Sequence, residues 1–421
     1  MRAPRATDPA RPLRNLSRPR QAASAAPQEP RGVARLLAVA GSPQARGLLA
    51  ARTIGTLPTG MVPLGIILLL RGLGDSYALA GVAGGGFAIG VAVMQPLLGR
   101  LIDRFGMTRV LAPLAIVFPA TIVAFALSAS SRAPAAATVA FALACGAALP
   151  PLGACMRVLW PRLIASESLR PTAFAIDATL QELAFIAGPP LLALIAAIAS
   201  PEAALFAAAG AAGAGTVAFA ALARRHNIRT RRGRGALRSA GVRRVLALSF
   251  LLGGTFGATE VAMPAFCERH GARAAAGLLL AALALGSACG GLSFGARAAR
   301  VPPERRLLVA LCGYSLLLAP LLLAPSIALM ALCMFAAGFP IAPAFAGSYL
   351  LLDRSSVPGA LTETFAWNTT SIFVGASLGT AAGGALIAPA SYRAGIALAV
   401  VLAFGCVLLL AGYARSARRE R

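Results

Sequence analysis

The polar positions along the chain fall into short blocks that separate long apolar runs. A helix that crosses a bilayer needs about 20 mainly apolar residues. Runs of that length occupy 47–70, 76–98, 110–128, 134–158, 172–199, 203–223, 245–266, 276–296, 307–323, 327–351, 363–388 and 394–412. The pattern predicts twelve membrane-spanning helices and an all-α fold. Turns at Pro201 and Pro325 divide the two longest stretches.

Composition agrees with this pattern. Of the 421 residues 58% are hydrophobic and 13% charged, and the mean hydropathy is +0.76; a soluble domain is about a quarter charged. The isoelectric point of 11.7 would point to nucleic acid, but the charge lies almost wholly between the apolar runs. No nucleic-acid partner is therefore expected. Every basic residue is arginine. With the N-terminus inside, the segments on that side (the N-terminal tail, 99–109, 157–170, 224–244, 297–306, 353–362 and the C-terminus) carry 33 of the 39 arginines. The opposite loops carry five, and Arg52 lies within the first span. This bias puts both termini in the cytoplasm and offers contacts to anionic lipid headgroups.

Residues 1–35 are rich in Arg, Pro, Ala and Ser and lack the hydrophobic core of a signal peptide. The expected organisation is a disordered basic tail over 1–44, a six-helix bundle over 45–223, a basic linker over 224–244, a second bundle over 245–413 and a short tail over 414–421. The seven cysteines have no CxxC spacing and His226 and His270 lie far apart, so neither a metal site nor a cofactor is expected.

The two halves resemble each other. "FAIDAT" at 174–179 aligns with "FAWNTT" at 365–370, placing Asp177 on Asn368 and Gly188 on Gly379. "GAALPP" at 146–151 aligns with "GFPIAP" at 338–343. "GRLIDRFGMTR" at 99–109 aligns with "GARAARVPPER" at 295–305, where Ala299 stands opposite Asp103. These matches indicate a duplicated six-helix unit, a common plan among transporters.

"GRLIDRFGMTR" resembles motif A of the major facilitator superfamily, the G-x-x-x-D-R-x-G-R-[RK] loop between spans 2 and 3. Gly99, Asp103, Arg104, Gly106 and Arg109 match in order, and Met107 and Thr108 depart from it. The resemblance implies two pseudo-symmetric six-helix bundles and a gating role for the loop. Gly99 would allow a close helix approach and Gly106 a tight turn. Asp103 would either pair with Arg104 or sit at a helix N-terminus, where the dipole favours an anion. Gly188 and Pro189 match part of motif C, a span 5 pattern typical of antiporters; Ala184 and Leu192 replace its outer glycines. Motif B, an arginine in span 4, is not visible in "FALACGAALPP".

Span 5 also carries Asp177 and Glu182, and ionisable groups inside a span are functional candidates. Asp177, Gln181 and Gly188 share one helix face, whereas Glu182 lies about 140° away. Glu182 is about 15 Å from its helix start, near mid-bilayer, and is either a proton carrier or a packing residue. Arg52, Thr56, Thr59 and Pro63 form a stripe in span 1; Arg52 either faces the cavity or snorkels to headgroups. Ser249, Gly253, Phe256 and Glu260 form a stripe in span 7, with Glu260 toward the outer mouth. Thr364, Asn368, Ser371, Gly375 and Gly379 form one in span 11, whose glycines permit close packing. Pro150, Pro151, Pro340 and Pro343 bend spans 4 and 10, as gating hinges or static kinks.

These features predict a monomeric secondary transporter in a bacterial inner membrane. Proton-coupled efflux of a small, partly apolar compound is favoured, and uptake of a sugar or other metabolite is the alternative. A membrane-embedded transferase would need a cluster of acids or histidines that the short outer loops cannot hold, so an enzyme is not expected. A non-transporting receptor or assembly factor is the remaining rival.

Overall fold

The computed structural model describes residues 30, 32–226, 235–272, 275–297, 301–387 and 391–419. All regular structure among them is helical, and twelve helices are long and apolar enough to cross a bilayer. In chain order these spans are Pro43–Gly72, Ala78–Phe105, Met107–Ser130, Ala135–Leu163, Glu167–Ile198, Pro201–His226, Ala240–Arg269, Ala275–Ala296, Pro303–Leu323, Ile327–Ser355, Leu361–Ile387 and Tyr392–Gly412.

The starts are written in serine and proline. The Ser42, Ser76, Ser200, Ser239 and Ser326 hydroxyls each accept a hydrogen bond from the amide three residues on, satisfying a donor the helix cannot. Pro43, Pro201 and Pro303 occupy first-turn positions, where no amide donor is missed. Proline also interrupts span 4, between Ala148 and Leu152, and span 10, between Gly338 and Ile341. The carbonyl of Leu149 freed by the first break accepts a bond from the buried Gln95 side chain at 3.0 Å.

Spans 1–6 pack among themselves and so do spans 7–12; spans 2 and 5 of the first half meet spans 8, 10 and 11 of the second. The duplication read from the sequence is visible in this packing. A Cβ on Gly188 would lie 2.9 Å from the Gly60 backbone of span 1, and one on Gly379 would clash with the Gly254 carbonyl and lie 2.8 Å from its Cα in span 7. In the same way Gly146 is pressed against the backbone of span 2 and Gly338 against that of span 8.

One expectation at the ends is corrected. Residues Val33–Ala40, placed in a disordered tail, form a helix. Its Arg35, Leu36 and Val39 fit against spans 5 and 8, whereas Val33 and Leu37 are exposed; a helix with one apolar seam and one outward face is stabilised by packing rather than by length. The last span ends at Gly412 as expected, and its helix runs on to Arg419. Residues 1–29 and 227–234 of the expected tail and linker, and Ala299, lie outside the described residues.

Candidate functional site

The knot at the end of span 2 joins the two halves. Gly106, at φ +92°, turns the chain directly from span 2 into span 3, a conformation that glycine adopts without strain. Asp103 Oδ1 accepts from the amide of Thr362 at 3.1 Å and Oδ2 from that of Glu363 at 2.9 Å. These are first-turn amides of span 11, so the helix N-terminus is the partner the carboxylate finds. The approach is possible because residue 99 has no side chain: a Cβ there would lie 2.8 Å from Ala366 and 2.9 Å from the Glu363 Cα. Arg100 adds an ion pair to Glu363 at 2.7 Å. Arg104 lies over the Phe105 ring, 4.9 Å from its centroid, and Arg109 is exposed.

The degenerate second copy makes the mirror contact. Gly295, at the end of span 8, lies against Ala175 and Thr172 at the start of span 5, and the Thr172 hydroxyl donates to its carbonyl at 2.8 Å. Thr370 donates to the Ala92 carbonyl of span 2 at 3.0 Å, while its counterpart Thr179 abuts Gly291 of span 8. These contacts run from the face that carries Asp103 toward the middle of the spans. Along span 5, Pro171–Thr179 are buried without a break, but most residues from Gln181 to Ile198 are half-buried or exposed; span 11 shows the same fall-off beyond Thr370. The halves are joined from the Asp103 face up to a ring contact between Phe185 of span 5 and Phe373 of span 11, with centroids 6.0 Å apart, and exposure rises along both spans toward the other face.

Between the two faces lies a buried charge cluster. Asp177 is fully buried and receives two guanidinium groups: Arg157 Nε donates to Oδ2 at 2.8 Å, and Arg52 Nε lies 3.3 Å from Oδ1. Arg52 Nη2 donates to Gln181 Oε1 at 2.9 Å. The Arg157 side chain crosses to the second half, where Nη2 donates to the Tyr349 hydroxyl at 2.9 Å and the guanidinium lies 3.9 Å from that ring's centroid. The cluster contains two cations and one anion. Asp177, Gln181 and Gly188 all face span 1, as their shared helix face requires.

Arg52 is fully buried, so it does not snorkel; the Asp177 carboxylate and Gln181 amide hold it within the protein. Thr56 is buried and donates back to the Arg52 carbonyl at 2.9 Å. At the position equivalent to Asp177, Asn368 is buried and accepts from Ser249 of span 7 at 2.7 Å. Ser371 is half-buried and Pro189 likewise. Glu182 is half-buried and has no hydrogen-bond or ion-pair partner among the described residues. Glu260 is exposed toward the C-terminal end of span 7.

Arg157, Tyr349, Gly153 and Glu363 were missed. Arg157, counted with the cytoplasmic segment 157–170, is instead buried within span 4, because the helix restarts at Leu152 after Pro151 and carries it into the core. Its apolar flanks, Cys155–Met156 and Val158–Leu159, were the available signal.

Two six-helix halves meeting around a buried polar centre, joined from one face and more exposed toward the other, define a polytopic membrane transporter. Residues 48–362 match the family model of the Major Facilitator Superfamily, and the chain belongs to that family. Comparison with curated proteins gave no significant match. Among solved structures, the human organic anion transporter MFSD10 (TETRAN) is similar with a TM-score of 0.66 at 18% identity, over 89% of this chain and 99% of that one. A bacterial homologue of the iron transporter ferroportin, in an outward-facing state with soaked iron, has a TM-score of 0.70 at 14% identity, over 89% and 99%. A further outward-facing structure of a bacterial ferroportin homologue gives a TM-score of 0.70 at 14% identity, over 90% and 98%. At these identities the likeness is one of fold.

Proposed function

We propose that the chain is a monomeric secondary active transporter that exports a small, partly apolar compound in exchange for protons, by rocking the units 45–223 and 245–413 around the buried centre. The arginine bias supports a bacterial inner membrane with both termini, and the Asp103 face, in the cytoplasm. On that orientation the closed face is the inner one, and the conformation is outward-facing. The observation that carries the reading is the clasp of Asp103 on the first turn of span 11, which can hold the inner face shut and must open for the substrate to enter from within.

Glu182 is the proposed proton carrier. It lies midway along span 5, three residues before the cross-half ring contact of Phe185 with Phe373, and with no partner among the described residues it can take up and release a proton without breaking an ion pair. Ionisable residues so placed mark proton relays.

The test uses proteoliposomes with an imposed pH gradient and a panel of small aromatic compounds. Wild type should move a compound against its gradient, and Glu182→Gln should abolish that response while leaving exchange of compound between the two sides. Pumping of a compound in the same direction as the protons would make the protein an importer of a metabolite instead. A normal pH response in Glu182→Gln would remove Glu182 from the coupling.

A further inference from the structure

We infer that Arg52, with Gly153 and Gln181 beside it, forms a subsite for the anionic head of the transported compound, a small monocarboxylate with an apolar body. This names the substrate class and rests on the transporter reading, though not on its direction.

The first ground is charge. Arg52 and Arg157 share one carboxylate, Asp177, and neither arginine has an ion pair with Glu182. Guanidinium groups remain charged in proteins, so with Glu182 protonated the cluster carries one positive charge in excess. Burying an uncompensated charge is costly, and a ligand bearing one negative charge relieves that cost. A dianion would overshoot it.

The second ground is an orphaned donor. Arg52 is 0% exposed, yet its Nη1 has no hydrogen-bond partner among the described residues. Buried polar groups are satisfied in the great majority of cases, and an exception points to an absent partner. Arg52 Nη2 is bonded to Gln181, so the guanidinium is held in place while Nη1 stays free.

The third ground is space. Gly153 faces the cluster: a Cβ there would lie 3.2 Å from Gln181 Oε1 and 3.6 Å from both Arg52 Nη2 and Arg157 Nη2. A Cβ alone would press on the Gln181 amide and just touch the two guanidinium groups, and any branch beyond it would crowd them, so the glycine leaves their approach clear. Gly153 and Gln181 are both half-buried whereas their neighbours Leu152 and Ala154 are buried, which puts the entrance on their side. Beyond Arg157 the second half presents a row of rings, Tyr349 to Phe345 at 6.1 Å and Phe345 to Phe256 at 5.8 Å. Tyr349 and Phe345 are buried and make the surroundings of the guanidinium pair apolar, so they offer little to a second charge.

The experiment is titration of the purified full chain in lipid nanodiscs, followed by thermal unfolding. The probes are benzoate and hexanoate, against benzamide and benzylamine. The acids should raise the melting temperature saturably, and the amide and amine should not. Arg52→Gln should weaken the acids roughly tenfold to hundredfold, the range expected for losing one charged hydrogen bond. Gly153→Val keeps every charge and should weaken the acids too, which preserves the test if Arg52→Gln does not fold. The proposal is overturned if neither acid binds, if the amide or amine stabilises equally, or if both variants bind the acids as wild type does. Proton-driven flux without acid binding would overturn this proposal and leave the transporter reading; acid binding without flux of any compound would do the reverse.

Discussion

Asp103→Asn should loosen the closed face. The wild-type carboxylate accepts two amides at the start of span 11. The asparagine oxygen can accept one of them, while its NH2 confronts the other N–H. One charge-assisted bond is lost, at about 1.5–3 kcal/mol, together with roughly 0.3–1 kcal/mol of attraction to the helix N-terminus. The closed conformation therefore loses about 2–4 kcal/mol relative to the open one. At 1.4 kcal/mol per decade that shifts the closed-to-open ratio roughly 30- to 1,000-fold. The Arg100–Glu363 pair serves as an internal comparison. Arg100 is 58% exposed but Glu363 only 4%, so the pair is worth more than the about 0–1 kcal/mol of a fully exposed one and less than a fully buried one. Arg100→Ala should then shift the ratio by a smaller factor than Asp103→Asn, which loses a charged bond and the attraction to the helix N-terminus together.

The assay is maleimide labelling of Ala175→Cys in a background without the seven native cysteines. Ala175 is fully buried where span 5 meets Gly295, so its labelling rate reports how often that face opens. The rate should rise at least tenfold in Asp103→Asn, far less in Arg100→Ala, and net transport should fall while expression is maintained. Equal labelling rates in wild type and Asp103→Asn, with equal transport, would refute the clasp and leave Asp103 as a topology signal.

Asp177→Asn leaves two buried guanidinium groups without a carboxylate and should cost about 3–5 kcal/mol, read as a lowered melting temperature; adding Arg52→Gln should recover part of it. Gly188→Val and Gly379→Val should each destabilise by about 1–3 kcal/mol through overpacking against Gly60 and Gly254. A normal melting temperature for both would contradict the paired glycine seams. Arg35→Ala removes the side chain that bonds Thr172 and the Ser168 carbonyl, so the Val33–Ala40 helix should be cleaved faster by trypsin and Ala175→Cys should label several-fold faster; unchanged rates would mean that this helix does not brace the closed face.

The spans, their duplication and the place of the clasp could be read in the sequence because each leaves a periodic or local trace. Long apolar runs fix the helices, and Asp103 with its two glycines marks a loop that ends a span. Asp177, Gln181 and Gly188 could be placed on one face by helical period alone. Their partners could not. Period says which way a side chain points on its own helix but not which helix stands opposite, so Arg52 could be read as facing the centre or the headgroups. Arg157 was obscured by Pro150 and Pro151, which end one helical segment and hide that another begins within two residues. The Val33–Ala40 helix is eight residues long and sits next to arginine- and proline-rich sequence, where composition outweighs a two-turn apolar pattern.

The duplicated scaffold carries unequal chemistry, and the inequality bears on how the halves move. Each half presses a glycine of its fifth helix against a glycine of its first, and each ends its second helix against the fifth helix of the other half. The polar groups at these equivalent places differ. Where Asp177 pairs with Arg52 of its first helix, the equivalent Asn368 accepts a bond from Ser249 of span 7. Where span 2 brings a carboxylate to two amides, span 8 brings a backbone carbonyl to one threonine hydroxyl. A neutral bond of the latter kind contributes about 0.5–1.5 kcal/mol, against about 1.5–3 for each charged one. Opening the Asp103 face is thus resisted mainly on one of its two pseudo-equivalent seams, so a substrate or proton that biases the first half acts on the stronger clasp. The cluster around Arg52, Arg157 and Asp177 lies in that same half, and its Arg157–Tyr349 bond reaches across to the other. A change of charge at the centre therefore perturbs a cross-half contact directly, which gives binding and rocking a shared element.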